Sequence, residues 1–448
     1  MSVKPNYEKY TNSEFYPTDP MVEYTQSIEE GLDISEYKEL FEAAEKLPKG
    51  EIKNNLGDVL YKIVSEAQIR EDYNFNEPSD LEGIKALRKP HPLSAELDKA
   101  CLADKIHGAW LGRVCGCLLG KTVEGVRTDE LIPFLKETGN YPMHRYILHS
   151  DITEEMDEKY KFGFGHSVYA DTAKAMPPDD DTNYPVLAQV ICEKYGRDFT
   201  PYNVSRAWMD YQPKNAYFTA ERVAFRNFVA GFTPPESAVY KNPYREWIGA
   251  QIRGDYWGYI NPGDPELAAE MAWRDASISH IKNGIYGEMF ASAMLAAAAV
   301  TDSIEDIILA GLAQIPSTSR LHKAIMTIIE KFKADTPQQE VFDYIHTCYD
   351  EHTGHGWCHT ISNAMIVAAS LLYGKGDYSK SICMAVETGF DTDCNGATVG
   401  SVLGMAFGTA AIPSCWSDPV NDTLETTIFG VGTVKISEIA KKTLTHIK

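Results

Sequence analysis

Eight glycines in two stripes constrain this chain more than any other feature. In DKIHGAWLGRVCGCLLGKTVEG they fall at Gly108, Gly112, Gly116 and Gly120, and in ETGFDTDCNGATVGSVLGMAFG at Gly396, Gly400, Gly404 and Gly408. A four-residue spacing places them on one stripe of an α-helix. Each glycine inside a helix costs about 1 kcal/mol relative to alanine, so each stripe costs about 3–4 kcal/mol unless something offsets it. Close approach of another backbone is the usual offset. The stripes therefore predict two helices packed glycine to glycine. If the helices are antiparallel, the C-terminal end of the first meets the N-terminal end of the second. Glu124 then comes beside Asp391 and Asp393, at a helix N-terminus that favours negative charge. The alternative is that each stripe packs on another helix and Glu124 is a surface residue.

A third acidic cluster, Asp179-Asp180-Asp181 followed by Thr182, comes after Pro177-Pro178. Tyr184, Leu187, Ala188 and Ile191 supply an apolar helical face behind it. Acidic residues at a helix start have a bland explanation in capping and dipole compensation. Three in a row exceed what capping requires. Crowded carboxylates without basic partners repel, and are tolerated when solvated or neutralised by a cation. Oxygen-only ligands suit Mg²⁺, Mn²⁺ or Ca²⁺ rather than zinc or copper.

Length and charge narrow the class. A chain of 448 residues can hold one large core plus an addition. The net charge of −22 argues against nucleic acid and against an anionic membrane surface as partners. MSVKPNYEKYTNSEFYP lacks the apolar stretch of a secretory signal, and runs such as AMLAAAAV fall short of a membrane span. Nine cysteines without a CxxC pair read as reduced, mostly buried thiols of a cytoplasmic protein. The Rossmann GxGxxG, the P-loop GxxxxGK[ST] and the GxSxG elbow are all absent. With no strand-rich region either, the expectation is an all-α fold.

Glu124 in GKTVEG, Asp180-Asp181-Thr182, and Asp391-Thr392-Asp393 in GFDTDCNGATVGSVLG resemble, in order and context, the motifs of the ADP-ribosylglycohydrolase family. The resemblance runs from about residue 101 to the C-terminus. It implies a compact multi-helix bundle with a site for two divalent metal ions, Mg²⁺ or Mn²⁺. It also implies cleavage of an N- or O-glycosidic bond at C1″ of an ADP-ribose unit. By resemblance the metal ligands are Asp179, Asp180, Asp181, Asp391 and Asp393, with Cys394 at the position that follows. Glu124, Asp180 and Asp393 are the expected catalytic carboxylates. His280 matches a substrate-contacting histidine of the family. Two departures stand out: Asp179 and Cys394 occupy positions that usually hold Ser or Thr. A soft thiol is a poor magnesium ligand.

The remaining segments are read from the residues themselves. Residues 1–100 form an accessory helical extension, with 101–448 as the catalytic domain. Pro5, Pro17 and Pro20 suggest an extended arm to about residue 25, and amphipathic spacing predicts helices near 37–47 and 52–63. The extension could cover the cleft, form an oligomer contact or decorate the fold. NPYREWIGAQIRGDYWGYINPGDP suits a ligand-facing loop, and Arg253 within it could meet a phosphate or carboxylate or stand in an ion pair. DEHTGHGWCHT fits no standard zinc pattern and reads as a cleft-lining loop, with Trp357 and His359 as candidate ligand contacts. GFGHS at 163–167 reads as a Gly-rich turn. The competing function classes are a small N-riboside hydrolase, an isoprenoid-synthase-like enzyme, and a non-enzymatic binding protein on the same scaffold. The second lacks the last acid of DDxxD, because Tyr184 stands one turn from Asp180-Asp181.

Overall fold

The two glycine stripes lie in the helices Leu102–Lys121 and Thr392–Phe407. These run antiparallel and face to face, as the spacing predicts. A Cβ built on Gly116 would stand 2.0 Å from the carbonyl oxygen of Gly396, and one on Gly112 would stand 2.2 Å from that of Gly400. One on Gly404 would stand 2.0 Å from the oxygen of Gly108. No side chain fits between backbones this close. Gly408 lies just past the second helix with φ of +75°, so the last member of that stripe closes the helix. At the other end Gly120 meets Thr392, whose Oγ1 donates to the Gly120 carbonyl at 2.8 Å. Tyr378 donates to the Gly112 carbonyl at 2.8 Å and braces the pair from the side.

The structure is a computed structural model that describes residues 4–93, 96–160 and 168–448. The GFGHS stretch lies outside the described residues. Helices surround the glycine pair in an all-α arrangement. Lys282–Ala298 and Thr360–Gly374 are buried along almost their whole lengths, which is why their sequences are apolar all round. Among the described residues the only strands are Thr423–Glu425 and Thr433–Lys435, an antiparallel pair with Thr423 opposite Lys435. The C-terminal helix Ile436–Leu444 closes the bundle. Trp110 donates to Thr443 Oγ1 at 3.0 Å, and Gln189 donates to the Ile439 carbonyl at 3.1 Å. No helix among the described residues is long and apolar enough to cross a membrane. All nine cysteines are unpaired, six of them buried.

The N-terminal extension corrects one expectation. Pro20 does not mark an extended arm; it occupies the first turn of the helix Pro20–Glu29, where a missing N–H costs nothing. Helices Lys38–Glu45 and Glu51–Glu66 follow where the apolar spacing put them. The extension has a small core of its own in Ile34, Phe41, Ala44 and Leu60. Charge ties it to the rest. Arg245 pairs with Glu23 at 2.7 Å and Glu30 at 2.5 Å, and Arg320 pairs with Glu77 at 3.0 Å.

The backbone contact sets a stability prediction. Replacing Gly116 or Gly400 with alanine forces a methyl group into a carbonyl, and overpacking of this kind costs about 3 kcal/mol or more. Urea unfolding is expected to show a lowered midpoint for each, while Gly50→Ala, at an extended backbone position whose nearest neighbour to a built Cβ is the Pro48 carbonyl oxygen at 4.0 Å, changes it far less.

Candidate active site

Three helix ends meet where the glycine pair stops. The first striped helix ends at Lys121, and Glu124 follows in the next turn. The second begins after Asp391 at its N-cap, with Asp393 in its first turn. Asp180–Tyr195 starts beside them, with Asp179 as its N-cap. Glu124, Asp179, Asp180, Asp391, Asp393 and Cys394 line one cavity of about 480 Å³. The antiparallel pairing thus brings together motifs far apart in sequence. Two helix N-termini point their positive dipole ends at this cluster.

Local contacts fix each carboxylate. Asp391 follows Phe390, whose φ of 60° turns the chain sharply into the helix. The Asp391 N–H donates to Asn363 Oδ1 at 3.1 Å, and Asn395 donates to the same oxygen at 2.8 Å. The Cys358 thiol donates to Asp391 Oδ2 at 3.5 Å. Asp179 spends both oxygens within the protein: Oδ1 accepts the Asp181 N–H at 2.9 Å, and Oδ2 takes Lys121 Nζ at 2.5 Å. Capping, the bland reading of the aspartate run, thus describes Asp179. Asp181 turns inward, with one oxygen 3.0 Å from the buried Arg113 guanidinium. Its other oxygen has no protein partner, and neither does the buried Asp393 Oδ1.

Burial and mutual repulsion push these acids far from their ordinary behaviour. Asp393 rises to about 6, chiefly through burial and then through the charge of Asp179. Asp180, Asp181 and Asp391 are pushed well up, again by burial first and then by neighbouring carboxylates, chiefly Asp179 and Asp393, with Arg113 opposing the rise at Asp181. Glu124 keeps surface open to solvent, yet the Asp393 charge, followed by loss of water, raises it too. Burial, and then the charge of Asp181, holds the buried Cys394 as a thiol.

A cation of hard-oxygen preference fits this donor set. Ligand atoms of Cys117, Asp179, Asp181 and Asp393 lie within 4.8 Å of one another, and so do those of Asp391, Asp393 and Cys394. Asp393 belongs to both groups. The unpartnered oxygens of Asp181 and Asp393 are the kind of buried acceptors that a metal satisfies.

The opposite wall is less polar. Phe218, Ile248, Gly249, Ile252 and Trp357 line it, with Glu221 among them. The Trp357 indole N–H donates to the Phe390 carbonyl, and Arg127 lies 4.8 Å over its ring. Trp357 therefore stands at the cavity, as the sequence suggested. Three other candidates do not. Arg253 is fully buried in an ion-pair network, 2.9 Å from Glu221, 3.0 Å from Asp275 and 3.4 Å from Glu288. It acts from behind the wall by fixing Glu221. His280 is buried behind the same residue, 3.9 Å from Glu221 Oε1, with Nδ1 2.8 Å from Ser279 Oγ. His359 caps the helix Thr360–Gly374 through Nδ1 and faces Glu29 and Glu246 rather than the cavity. The sequence reading missed Lys121, Asn363 and Glu221. Lys121 sits inside the GKTVEG motif and was visible there. Asn363 and Glu221 lie in ordinary helical patterns that carry no local signal.

Residues 98–446 match the model of the family described as ADP-ribosylglycohydrolase. Among solved structures, one titled "ADP-ribosylglycohydrolase-related protein complex" aligns with 77% of this chain and 97% of its own. The identity is 18% and the TM-score 0.48. Curated proteins yield no match.

Protons and cations compete for the same oxygens here. A carboxyl raised in the folded state lends stability at low pH, which is lost as pH rises through its folded value, about 6 for Asp393. Mn²⁺ or Mg²⁺ is therefore expected to raise the unfolding temperature by several degrees at about pH 7.5 and much less at about pH 5. Thermal unfolding with and without cation checks this, and an equal shift at both pH values would count against carboxylate ligation.

Proposed function

The chain belongs to the ADP-ribosylglycohydrolase family, and on that footing we propose that it is a divalent-metal-dependent hydrolase of the glycosidic bond at C1 of an ADP-ribosyl or related ribosyl group. The observation that carries the reading is the convergence of Glu124, Asp180, Asp391 and Asp393 on one cavity, with buried oxygens of Asp181 and Asp393 left unpartnered. Asp180, Asp391, Asp393 and the free oxygen of Asp181 would hold two Mg²⁺ or Mn²⁺ ions. Asp179, already engaged by Lys121 and its own helix, would contribute least. Bound ions would supply the positive charge that neutralises the cluster, orients the ribose cis-diol and acts as Lewis acid.

The protein's own groups account for the rest. Breaking a ribosidic bond through an oxocarbenium-like sugar needs a group to move a proton. Glu124 would supply it: it faces the cavity and stays open to solvent, and the Asp393 charge favours its protonated form. Trp357 offers an edge to the substrate while Arg127 holds its ring.

A second reading, a small riboside without a diphosphate, draws on one observation. Among the described residues that line the cavity, the only cation is Lys121, and Asp179 holds it. A diphosphate would find no free positive side chain there. The test is a hydrolysis screen with Mg²⁺ or Mn²⁺ that reads released sugar. ADP-ribosyl-arginine, ADP-ribosyl-serine and simple nucleosides make up the panel. Release from one class, reduced about 100-fold or more by Asp391→Asn, is the expected outcome. No release from any, with cation still bound, would favour a binding role.

A further inference from the structure

The turn Gly354–Cys358 carries two residues of the cavity wall, Trp357 and Cys358. Between them and the N-terminal extension lies a cluster of the buried His355 and His359 with the half-buried Glu29. Glu29 Oε2 stands 3.0 Å from His355 Nε2 and 3.8 Å from His359 Nε2. The ligand atoms of the three lie within 4.8 Å of one another, a spacing a metal ion could use. The tautomers speak against one. His355 Nδ1 accepts the Trp247 indole N–H at 3.3 Å, and His359 Nδ1 accepts the Ile361 backbone N–H at 3.1 Å. A neutral imidazole that accepts at Nδ1 carries its proton on Nε2. His355 Nε2–H therefore donates to Glu29 and makes a hydrogen-bond latch, while His359 Nε2 lies 3.8 Å from Glu29 and 3.9 Å from Glu246, too far to bond either. Burial lowers the His355 pKa despite Glu29. In Glu29 the upward push of burial is outweighed by His355, so a neutral donor faces an ionised acceptor.

His355 also reaches the other wall. Trp247 immediately precedes Ile248 and Gly249, which line the cavity, and its backbone pairs with that of His359. Thr360 Oγ1 donates to the Trp247 carbonyl at 2.8 Å. One imidazole thus joins two cavity segments, and a carboxylate from outside the family-matched residues holds that imidazole.

We infer that Glu29 is a positioning residue of the cavity: through His355 it clamps the Gly354–Cys358 turn and sets where Trp357 and Cys358 stand. The N-terminal extension is on this account part of the site's wall. The inference rests on the cavity being the reactive site, yet its test needs no turnover, so failure of the catalytic reading leaves the outcome intact.

Cys358 reports directly, being buried at 6% exposure beside Asp391. The full-length protein is exposed to a small alkylating reagent under native conditions, and each cysteine is followed by peptide mass spectrometry. In Glu29→Ala, Cys358 is expected to react about tenfold faster than in wild type, since a local opening of modest free energy exposes it. Glu29→Gln keeps an acceptor oxygen for the His355 proton and is expected to return the rate to within about twofold of wild type. Cys115, fully buried in the first striped helix, serves as the reference and stays protected. Unchanged protection of Cys358 in Glu29→Ala would overturn the inference. So would a parallel rise at Cys115, which would show that Glu29 supports the whole fold rather than this turn.

Discussion

Backbone contact between the two glycine-striped helices is the constraint on which everything else hangs. Side chains usually separate packed helices by 8–10 Å. Here carbonyl oxygens of one helix fill the space where Cβ atoms of the other would be. The contact fixes the register as well as the distance. Gly120 can meet only Thr392, and so Glu124 and Asp393 are neighbours by construction. The same first helix sends the buried Arg113 sideways. Its guanidinium meets Asp181 and Asp255 and donates to the Ile252 carbonyl at 2.6 Å. One helix therefore sets the positions of three parts of the cavity wall.

Around that frame the fold manages an unusual distribution of charge. The cavity concentrates acids, while the interior beyond it holds arginines that each serve several carboxylates. Arg253 takes Glu221, Asp275 and Glu288; Arg245 takes Glu23 and Glu30; Arg320 takes Glu77 and Glu246. Removing one partner of a buried pair leaves an uncompensated charge, which is strongly destabilising. Each of these arginines joins segments far apart in sequence. They are the joints by which the extension and the segment 242–265 lock onto the bundle.

How legible this was from sequence depended on the range of the signal. The glycine spacing is a local pattern with one good physical explanation, and it yielded both the pairing and the meeting of Glu124 with Asp391 and Asp393. The acid motifs were likewise local. Arg253, His280 and His359 went astray for a different reason. Residue type alone cannot distinguish a charged group that faces a ligand from one that faces a buried partner, and their partners Glu221, Asp275 and Glu246 lie tens to more than a hundred residues away. Pro20 misled in the opposite sense. Proline near a terminus suggests an extended arm, yet the same residue opens a helix well when the chain ahead of it is already fixed. Asn363 acts by holding the Asp391 backbone, a role that leaves no local signal.

The turn at Asp179 carries a further consequence. Its carboxylate is divided between a lysine on one helix and the first turn of another, so it works as a hinge pin rather than a free arm. Asp181 is pinned in the same way from the core side. Acids anchored like this cannot swing outward. Exchange between the cluster and bulk water then runs over a fixed rim, where Glu124, Asn215 and Phe218 remain open to solvent. The speed of that exchange becomes a property of the rim rather than of moving acids.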